Sequence, residues 1–480
     1  MGAKLFKIFR FYLFLTCLII CGLFVFQLFS LNVFPDFIML VICLVLFVVL
    51  LLCFVLLFRW KIVGSAILCL LVVVSSFGNV YLYKTHRMLS DVSVGLDSKV
   101  SSTFYLICLR DFNSSVTNLG VLSVGNTNLL DLAVNELNVD YDLVNFDSYY
   151  TLSDGLFNGA VDAILVSDSS YSLLRELQCI RSEDVKELDH FVVSFDSFVD
   201  AKSVDLLNES FTIFISGKDS EDLNTFISRS DVNLLLCVNP VKHEILMVGI
   251  PRDFYVEQPC QNGLRDKLTH AGLFGVGGSI GCVENLLNVS VNYYVEVNFN
   301  SLVSVVDALD GISVYSPYDF VSLHGDYHFI VGNNTMNGKQ ALGFVRERYS
   351  FEDGDRERSR NQMRVLQAII DKALSPSIIK SYPKLLDSLS SCFKTNLSEG
   401  EITSFIKSQL KHIEKWDIKQ IQVNGTGITT VSPALGFKVY MMDPNMDTVE
   451  HAEMLIKNEL NNEVVTDSDV DRQNELVANN

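Results

Sequence analysis

Three long apolar runs stand before residue 84, and they constrain the fold of this chain more than any other feature. They cover roughly Phe11–Leu31, Phe37–Phe58 and Ile62–Tyr83. Each run is about long enough to cross the ~30 Å hydrocarbon core of a bilayer as a helix. A cleavable signal peptide would be one short run with a small-residue exit, so that interpretation does not fit. Residues 1–83 are therefore predicted to form a membrane region of three transmembrane helices.

The charges that flank these runs predict their orientation. Basic residues precede the first run and follow the second, where Arg59 and Lys61 stand, whereas the loop around Asp36 has none. Because basic loops are retained in the cytoplasm, the N-terminus is predicted to be cytoplasmic and everything after about residue 84 to be extracellular. Lys84 and Arg87 mildly oppose this assignment, since they would lie on the external side.

The overall charge argues against a nucleic-acid partner. The 480 residues include 37 Lys and Arg against 56 Asp and Glu, a formal net charge of −19. So acidic a chain has no overall field that attracts nucleic acid, and any anion site has to be local. The cysteines outside the apolar runs show neither the paired spacing nor the nearby histidines of a zinc site.

Residues 100–207 are predicted to form a small accessory α/β domain. Short apolar segments alternate there with amphipathic ones, which is typical of an α/β unit. The segments "FYLICL", "LGVLSV", "YDLVNF" and "AVDAILV" predict strands, and "TNLLDLAVNEL" predicts a helix between two of them. The region has no glycine-rich phosphate loop and no catalytic constellation, so its expected role is spacing, dimerisation or partner binding.

A larger α/β domain is predicted for residues 208–460. It begins with the strand "FTIFISGKD" and continues with the strands "VNLLLCV", "EILMVGI" and "VNYYVEVNF". Helices are predicted for "NSLVSVVDAL" and for Arg356–Leu374, where Met363, Leu366 and Ile370 share one apolar face. The tail, residues 461–480, is polar and acidic and is predicted to be disordered.

One segment of this domain, "FVRERYSFEDGDRERSRNQM" with the residue after it, crowds together Arg346, Arg348, Arg356, Arg358, Arg360 and Arg364. Guanidinium groups suit forked binding of phosphate oxygens, but a solvated helix whose charges pair with each other fits the same composition. Asp355 is the predicted N-cap of the helix. Arg358 and Gln362, four residues apart, would share one of its faces, and Arg346 and Arg348 would face the same way in an extended segment.

Charged residues at predicted strand ends add further candidates. Asp219 ends one strand, and Asp231 precedes the next, close to Arg229. Acidic side chains at strand ends can converge on Mg²⁺, although turn or capping roles fit two aspartates at least as well. In "GIPRDF", Pro251 stops a strand and Arg252 follows it, where ligands collect in α/β sheets. The alternative for Arg252 is a structural ion pair with a neighbouring carboxylate.

Together these segments resemble the LytR–CpsA–Psr family of cell-envelope proteins. "GKD", "SRSD", "GIPRDF", "KLTHAGLFGVGGSIGCVENLL", "VVDALDGI" and "NGKQALGFVRERYSFEDGDRERSRNQ" occur in the order of the family between Phe211 and about Leu374. The three membrane helices and the inserted module resemble the capsule-associated streptococcal branch. The resemblance implies an α/β domain whose central sheet is flanked by helices and borders a hydrophobic cavity for a polyprenyl chain.

The resemblance also implies roles for individual residues. Asp219 and Asp231 would hold Mg²⁺ or Mn²⁺, and Asp355 would orient the arginines. Catalysis would depend on Asp231, Arg252, Arg358 and Asp355. The pyrophosphate of the carrier would contact Arg229, Arg252, Lys267, Arg346, Arg348, Arg358, Arg360 and Gln362. No nucleotide cofactor is expected, because the pyrophosphate bond supplies the driving force and the chain has no Walker loop.

The activity that the resemblance implies is transfer of a phosphoglycan from a polyprenyl-pyrophosphate carrier to peptidoglycan on the outer face of the membrane. The glycan would be a capsular polysaccharide or a teichoic-acid-like polymer. A sugar hydroxyl would attack phosphorus, with an aspartate as proton acceptor, and arginines and metal would neutralise the charge. Two alternatives stay open, a polyprenyl-pyrophosphate hydrolase and a non-catalytic lipid-sensing regulator of capsule assembly. Other capsule-assembly proteins are further expected partners; nucleic acid is not.

Overall fold

The computed structural model describes residues 2–93, 99–123, 127–137, 139, 141–196, 199–218, 228–375, 393–411 and 415–478. Three helices come first: α1 (Gly2–Leu31), α2 (Asp36–Arg59) and α3 (Lys61–Val92). All three are long and apolar enough to cross a membrane, as their apolar runs predict. Most of their apolar side chains are exposed, which is typical of helices that are apolar all round and lie in lipid. α3 continues past Tyr83 and includes Lys84 and Arg87.

The membrane region contacts the rest of the chain at the turn between α1 and α2. Lys407 Nζ, from the helix Glu399–Lys411, lies 2.8 Å from Asp36 Oδ1 and 3.1 Å from Asn32 Oδ1. Nearby, Ile402 packs against the cluster of Leu31, Val33 and Leu89. This contact places the α1–α2 turn on the same side of the three helices as the folded domains.

The accessory domain is a mixed sheet with helices. Its strands are β1 (Lys99–Leu109), β2 (Asn118–Leu122), β3 (Asp142–Phe146), β4 (Ala163–Ser167) and β5 (Val185–Asp196), and its helices are α4 (Thr127–Glu136), α5 (Tyr149–Phe157) and α6 (Asp168–Glu176). The strand order is β3-β2-β4-β1-β5, with β2 parallel to β3 and β4 and with β1 antiparallel to β4 and β5. The four predicted strands and the predicted helix are present, and β5 is an additional strand.

The larger domain contains the remaining elements. Its strands are β6 (Phe211–Lys218), β7 (Ser230–Asn239), β8 (Glu244–Gly249), β9 (Tyr255–Gln258), β10 (Leu264–Lys267), β11 (Tyr293–Val297), β12 (Ile312–Ser316), β13 (Phe320–Val321), β14 (His328–Phe329), β15 (Gly332–Met336), β16 (Phe393–Thr395), β17 (Asp417–Gln422), β18 (Gly425–Val431) and β19 (Lys438–Pro444). Its helices are α7 (Leu268–Ala271), α8 (Val276–Leu287), α9 (Phe299–Ala308), α10 (Gly338–Arg346), α11 (Asp355–Ala373), Glu399–Lys411, Met446–Leu460 and Asp467–Ala478. The central sheet has the order β16-β11-β6-β7-β8-β17. This mixed α/β architecture, with helices flanking a central sheet, agrees with the predicted fold class.

Both faces of the central sheet are covered, and β7 shows how. Successive side chains of a strand point to opposite faces. Leu234 and Leu236 pack in one layer with Met363 of α11. Leu235 and Cys237 belong to the other layer, with α7 and α8. The apolar run "LLLCV" therefore fits a strand that is buried on both faces.

The accessory domain is fixed to the larger domain by a shared core. The backbone N–H groups of Tyr149 and Tyr150 donate to the carbonyl oxygens of Ala434 and Leu435, each over 3.1 Å. Leu435 is also buried within the apolar core of the accessory domain. Because hydrogen bonds and core packing both cross the boundary, the accessory domain is a packed part of the structure and not a unit on a loose linker.

The prediction of a disordered tail is wrong for Asp467–Ala478, which forms a helix. Gln473 is fully buried, and its Nε2 donates to the carbonyl oxygens of Gln422 (2.7 Å) and Thr448 (2.9 Å). Val477 is buried as well. Composition indicated disorder because most tail residues are polar, whereas these few side chains on one face fix the helix to the domain.

Candidate functional site

The candidate site lies at the edge of the central sheet where β6 and β8 end and β7 begins. Lys218 is the last residue of β6, Asp231 stands at the start of β7, and Arg252 follows β8. Arg252 Nη1 lies 2.7 Å from Asp231 Oδ2, and Thr269 Oγ1 donates to Asp231 Oδ1 over 3.3 Å. The ion pair that the sequence offered as the alternative for Arg252 is thus present, and it stands within the candidate site.

An apolar cavity of about 740 Å³ opens beside this ion pair, between the central sheet and the helices α9 and α11. Its walls include Ile213, Ile215, Leu234, Leu302, Leu366 and Ile370. A cavity of this size with mostly apolar walls and a few polar groups is typical of a ligand site. A hydrophobic cavity is therefore present in the domain where the resemblance implied one.

The polar end of the apolar cavity is cationic. The long polar side chains that line it include Lys218, Arg252, Arg346, Arg348, Arg358 and Gln362. The guanidinium of Arg346 stacks on the ring of Phe299 at 4.5 Å from its centre, a favourable cation–π geometry. Lys218 forms a buried ion pair with Glu296 and was missed in the sequence analysis, although it lies in "GKD".

The arginines at this end are close enough to affect one another. Burial lowers the pKa of Arg358; Asp355 opposes this effect, and the positive charge of Arg252 reinforces it. Within the described residues, the Nε atoms of Arg252 and Arg358 have no hydrogen-bond partner. A buried donor without an acceptor costs free energy. Crowded cations with unused donors are therefore arranged to receive an anion.

Asp231 is held in its ionised form. Burial alone would raise its pKa, but the positive charges of Arg252, Arg229 and Arg358 lower it overall. A general base works best when its pKa is near the working pH, so a carboxyl group with a lowered pKa is a weak proton acceptor. Asp231 is better suited to holding charge than to the proton-accepting role that the sequence analysis gave an aspartate.

The residues present fit a magnesium site only in part. Asp231 offers a carboxylate at the cationic end of the cavity, whereas its predicted companion, Asp219, lies outside the described residues. Among the residues that the structure describes, no group of three or more His, Cys, Asp or Glu could hold a metal ion. Mg²⁺ is commonly bound by one or two carboxylates together with substrate phosphates, and Asp231 suits a site of that kind.

The crowded arginines divide into two sets. Arg346, Arg348 and Arg358 line the apolar cavity, whereas Arg356, Arg360 and Arg364 pair with carboxylates outside it. Arg360 Nη1 lies 2.7 Å from oxygens of both Asp353 and Glu357. The structure therefore does not bring Arg360 to the cavity, contrary to its predicted contact with pyrophosphate. Pairing with carboxylates, which the sequence offered as the alternative, is thus found for Arg356, Arg360 and Arg364, and phosphate binding stays a prediction for the three arginines that line the cavity.

Two carboxylates position the arginines that do line the cavity. The N-cap of α11 is Gly354, with a φ of 50°, so the prediction of Asp355 as N-cap is wrong by one residue. Asp355 begins the helix and lies 2.6 Å from Arg358 Nη2. Glu347 was overlooked. It is buried, and its Oε1 accepts the backbone N–H groups of the next three residues at 2.8 to 3.0 Å, which fixes the loop of Arg348.

The last two predicted residues, Arg229 and Lys267, lie elsewhere. They line a cleft of about 270 Å³ between the accessory domain and the larger domain, which we call the interdomain cleft. Arg229 forms a two-point ion pair with Glu176 of the accessory domain, at 3.1 and 2.9 Å. Asp231 and Arg252 line both the apolar cavity and this cleft. The predicted site residues are thus distributed over two spaces that meet at one ion pair.

Fold and site together define a membrane-anchored α/β protein with an apolar cavity that is lined by several arginines. The chain belongs to the LytR_cpsA_psr family, whose model matches residues 182–453. All of the candidate residues lie within this range.

Known proteins with similar sequences include two transferases. A protein of Enterococcus faecalis named polyisoprenyl-teichoic acid–peptidoglycan teichoic acid transferase TagU is 36% identical over 222 residues, which cover 46% of this chain and 71% of the relative. A protein of the same name from Bacillus cereus is 35% identical over 221 residues, covering 46% and 70%. A solved structure described as TagT bound to LI-WTA is 29% identical, covers 54% of this chain and 94% of that chain, and has a TM-score of 0.45.

Proposed function

We propose that this protein transfers a phosphoglycan from a polyprenyl-pyrophosphate carrier to peptidoglycan. The observation that carries the proposal is an apolar cavity that ends at crowded arginines, two of which, Arg252 and Arg358, have buried Nε donors without a partner among the described residues. An apolar chain with a diphosphate end matches both parts of this space. The relatives named as transferases of teichoic acid to peptidoglycan support the reaction class. The chain is accordingly a transferase, and its polymer is capsular or teichoic-acid-like.

The site residues account for the chemistry of such a transfer. A sugar hydroxyl oxygen of the acceptor bonds to the glycan-bearing phosphorus. The bond from that phosphorus to the bridging oxygen breaks, and polyprenyl phosphate leaves with the electron pair. Arg252, Arg346 and Arg358 neutralise the charge on the phosphates, which is what phosphoryl transfer chiefly requires of a protein. Mg²⁺ held by Asp231 would add Lewis-acid stabilisation of the phosphate oxygens.

The ionised state of Asp231 limits what happens to the hydroxyl proton. A carboxylate surrounded by arginines keeps its charge and takes up a proton poorly. Phosphoryl transfers with a loose transition state need little proton removal before the attacking oxygen bonds to phosphorus. The proton therefore passes to solvent as the bond forms, and Asp231 acts on the orientation of Arg252 and on the charge at phosphorus.

We place both folded domains on the outer face of the membrane. The α1–α2 turn contains no Lys or Arg, whereas Arg59 and Lys61 flank the α2–α3 turn. Basic turns are retained in the cytoplasm. Since Lys407 of the larger domain contacts Asp36, the first residue of α2 after this turn, the domains lie on the same side of the membrane as the α1–α2 turn. There they meet the carrier at the outer leaflet and the peptidoglycan beyond it.

The test uses the full-length protein in lipid nanodiscs, with a polyprenyl-pyrophosphate-linked glycan, peptidoglycan and Mg²⁺. Glycan attached to peptidoglycan and released polyprenyl phosphate are both measured. Arg358→Ala should reduce transfer by about 10²-fold or more, as expected for loss of a charge-stabilising donor. Arg356→Ala is the matched control, because Arg356 lies on the same helix and pairs with Asp353 outside the cavity.

The outcomes separate the proposal from its two alternatives. Attachment of glycan that requires Mg²⁺ and Arg358, but not Arg356, supports the transferase. Release of polyprenyl phosphate without attachment, in the presence of a competent acceptor, would indicate a hydrolase. Tight binding of the carrier without turnover, with Mg²⁺ or with Mn²⁺, would indicate a lipid sensor.

A further inference from the structure

The interdomain cleft differs from the apolar cavity in its chemistry. The accessory domain contributes Leu173, Glu176 and Leu177 to its walls, and the larger domain contributes Arg229, Lys267 and Thr269. Most of these side chains are polar or charged. A small cleft with several hydrogen-bonding groups is unsuited to a lipid chain and well suited to a molecule that carries many hydroxyl groups.

The apolar cavity and the interdomain cleft approach the Asp231–Arg252 ion pair from different faces of the central sheet. Leu234, which lines the cavity, belongs to the layer of α11. Thr269, which lines the cleft, lies on α7, and α7 packs on the opposite face with Leu235. The ion pair at the sheet edge is therefore reached by the two spaces from opposite sides.

The positions of the two spaces match the geometry that phosphoryl transfer requires. The attacking and leaving oxygens lie roughly in line through phosphorus. In the proposed reaction the leaving group is polyprenyl phosphate, whose chain lies in the apolar cavity. The attacking hydroxyl then has to approach phosphorus from the side opposite the cavity, and on that side the structure has the interdomain cleft.

The walls of the cleft carry groups that a saccharide can use. Arg229 and Glu176 form a two-point ion pair, and Lys267 Nζ lies 3.0 Å from Asp253 Oδ1. Each pair offers charged donors and acceptors side by side, and hydrogen bonds to charged groups are among the stronger ones. The Glu176 side chain remains 56% exposed, and each carboxylate oxygen has lone pairs beyond the one that Arg229 uses, so the carboxylate can accept further hydrogen bonds from a molecule in the cleft.

The wall of the cleft that the accessory domain contributes is fixed in place. Leu435 lines the cleft and is buried in the core of the accessory domain, and backbone hydrogen bonds from Tyr149 and Tyr150 join the two domains beside it. Sites held on packed elements position their ligands better than sites on mobile ones. The accessory domain is thus built to act as one side of a binding site.

We infer that the interdomain cleft binds the saccharide of the acceptor and directs one of its hydroxyl groups toward the Asp231–Arg252 ion pair, with Glu176 as a specificity-determining residue. The inference rests on the proposed transferase function and extends it. The accessory domain then takes part in acceptor recognition and is not merely a spacer. Glu176 acts by hydrogen bonding to the saccharide and by orienting Arg229, and it takes no part in the bond changes at phosphorus.

The test compares the full-length protein with Glu176→Gln at saturating donor and varied concentrations of a soluble peptidoglycan oligosaccharide. The KM for the oligosaccharide should rise about tenfold, because a neutral amide replaces a charged carboxylate and hydrogen bonds to neutral groups are weaker than those to charged ones. The KM for the donor should stay within twofold of the wild-type value. Glu183→Gln is the control, since Glu183 is an exposed glutamate of the same domain that does not line the cleft.

A second measurement detects binding of the saccharide in the cleft without turnover. Saturation-transfer NMR detects binding of the oligosaccharide to the wild-type protein, to Glu176→Gln and to Glu183→Gln. The inference would be overturned if Glu176→Gln changed neither the KM for the acceptor nor the binding of the oligosaccharide. It would also be overturned if only the KM for the donor rose, because the cleft would then bind the donor glycan. A wild-type protein that binds the oligosaccharide through Glu176 but transfers nothing would refute the transferase function and leave the saccharide site standing.

Discussion

Arg252 Nη1 lies 2.7 Å from Asp231 Oδ2, and this ion pair lines both the apolar cavity and the interdomain cleft. Burial alone would lower the pKa of Arg252, but the negative charges of Asp231 and Asp253 raise it overall. In the same pair the pKa of Asp231 is lowered. Both partners therefore stay charged, and the guanidinium is held in one orientation at the junction of the two spaces.

The first prediction concerns the shape of this cation rather than its charge. Arg252→Lys keeps a positive charge but loses the planar guanidinium, which contacts Asp231 and could bind the proposed phosphate at the same time. Transfer of glycan should fall by about 10²-fold, with the thermal unfolding temperature changed little. The rate of attachment to peptidoglycan is the measurement.

Arg265→Lys is the control. It changes a half-exposed arginine that pairs with Asp443 and should keep the wild-type rate. A wild-type rate for Arg252→Lys would show that net charge alone is needed.

The second prediction concerns the apolar cavity. Leu302 of α9 lines it, so the larger side chain of Leu302→Trp should occupy part of the space that the proposed lipid chain would fill. Each methylene group that can no longer be buried removes about 0.8 kcal/mol of binding free energy. We expect the affinity for polyprenyl pyrophosphate to fall by about tenfold or more, as measured with a fluorescent analogue in detergent.

Val321→Trp is the control for this change, because Val321 is exposed and does not line the cavity. It should leave the affinity unaltered. Circular dichroism of both variants establishes that the fold is retained. Equal affinities for Leu302→Trp and the wild-type protein would mean that the lipid chain binds outside this cavity.

Local spacing explains why part of the site could be predicted from the sequence. Arg358 and Gln362 are four residues apart, about one helical turn, and both line the cavity as that spacing predicts. Apolar patterns likewise predicted α11 and four of the six strands of the central sheet, β6, β7, β8 and β11, but not β16 or β17. Such patterns are readable because a residue and its near neighbours determine them.

The remaining features depend on contacts between distant residues. Arg360 was assigned to the pyrophosphate through the family resemblance, but Asp353 and Glu357 hold it outside the cavity. The partner of Arg229, Glu176, lies 53 residues earlier in another domain. No local pattern encodes such a pairing, and the division of the site into cavity and cleft could be found only once the two domains were placed together.

The third prediction tests the membrane topology. Asp36 is the first residue of α2, next to the α1–α2 turn, and is almost fully exposed, whereas Trp60 lies in the α2–α3 turn. In intact cells a membrane-impermeant maleimide should label Asp36→Cys. It should label Trp60→Cys only after permeabilisation, because that turn is basic. The mass added relative to the parent protein corrects for the native cysteines. The reverse pattern would place both folded domains in the cytoplasm and rule out a peptidoglycan acceptor.

The fourth prediction concerns stability and pH. Glu459 is 2% exposed, and within the described residues its Oε1 has no hydrogen-bond partner. Burial, with a smaller contribution from the negative charge of Glu244, raises the pKa of Glu459 from 4.5 to about 7. Between these two values the folded state binds more protons than the unfolded state. Stability should therefore fall as the pH rises from 4.5 through about 7.

Replacing this carboxyl group removes the free-energy cost of burying its negative charge. Glu459→Gln should stabilise the protein at pH 8 by on the order of 2 kcal/mol, which corresponds to a rise of roughly 4 to 8 °C in unfolding temperature for a domain of this size. At pH 4.5 the same variant should differ little from the wild-type protein, because Glu459 is then protonated in the folded state and carries no charge.

Scanning fluorimetry of the full-length protein at the two pH values measures the difference in unfolding temperature. Glu450→Gln, at an exposed glutamate of the same helix, should show no such dependence on pH. A Glu459→Gln protein whose unfolding temperature follows the wild-type value at both pH values would show that this carboxyl group is not buried in its charged form.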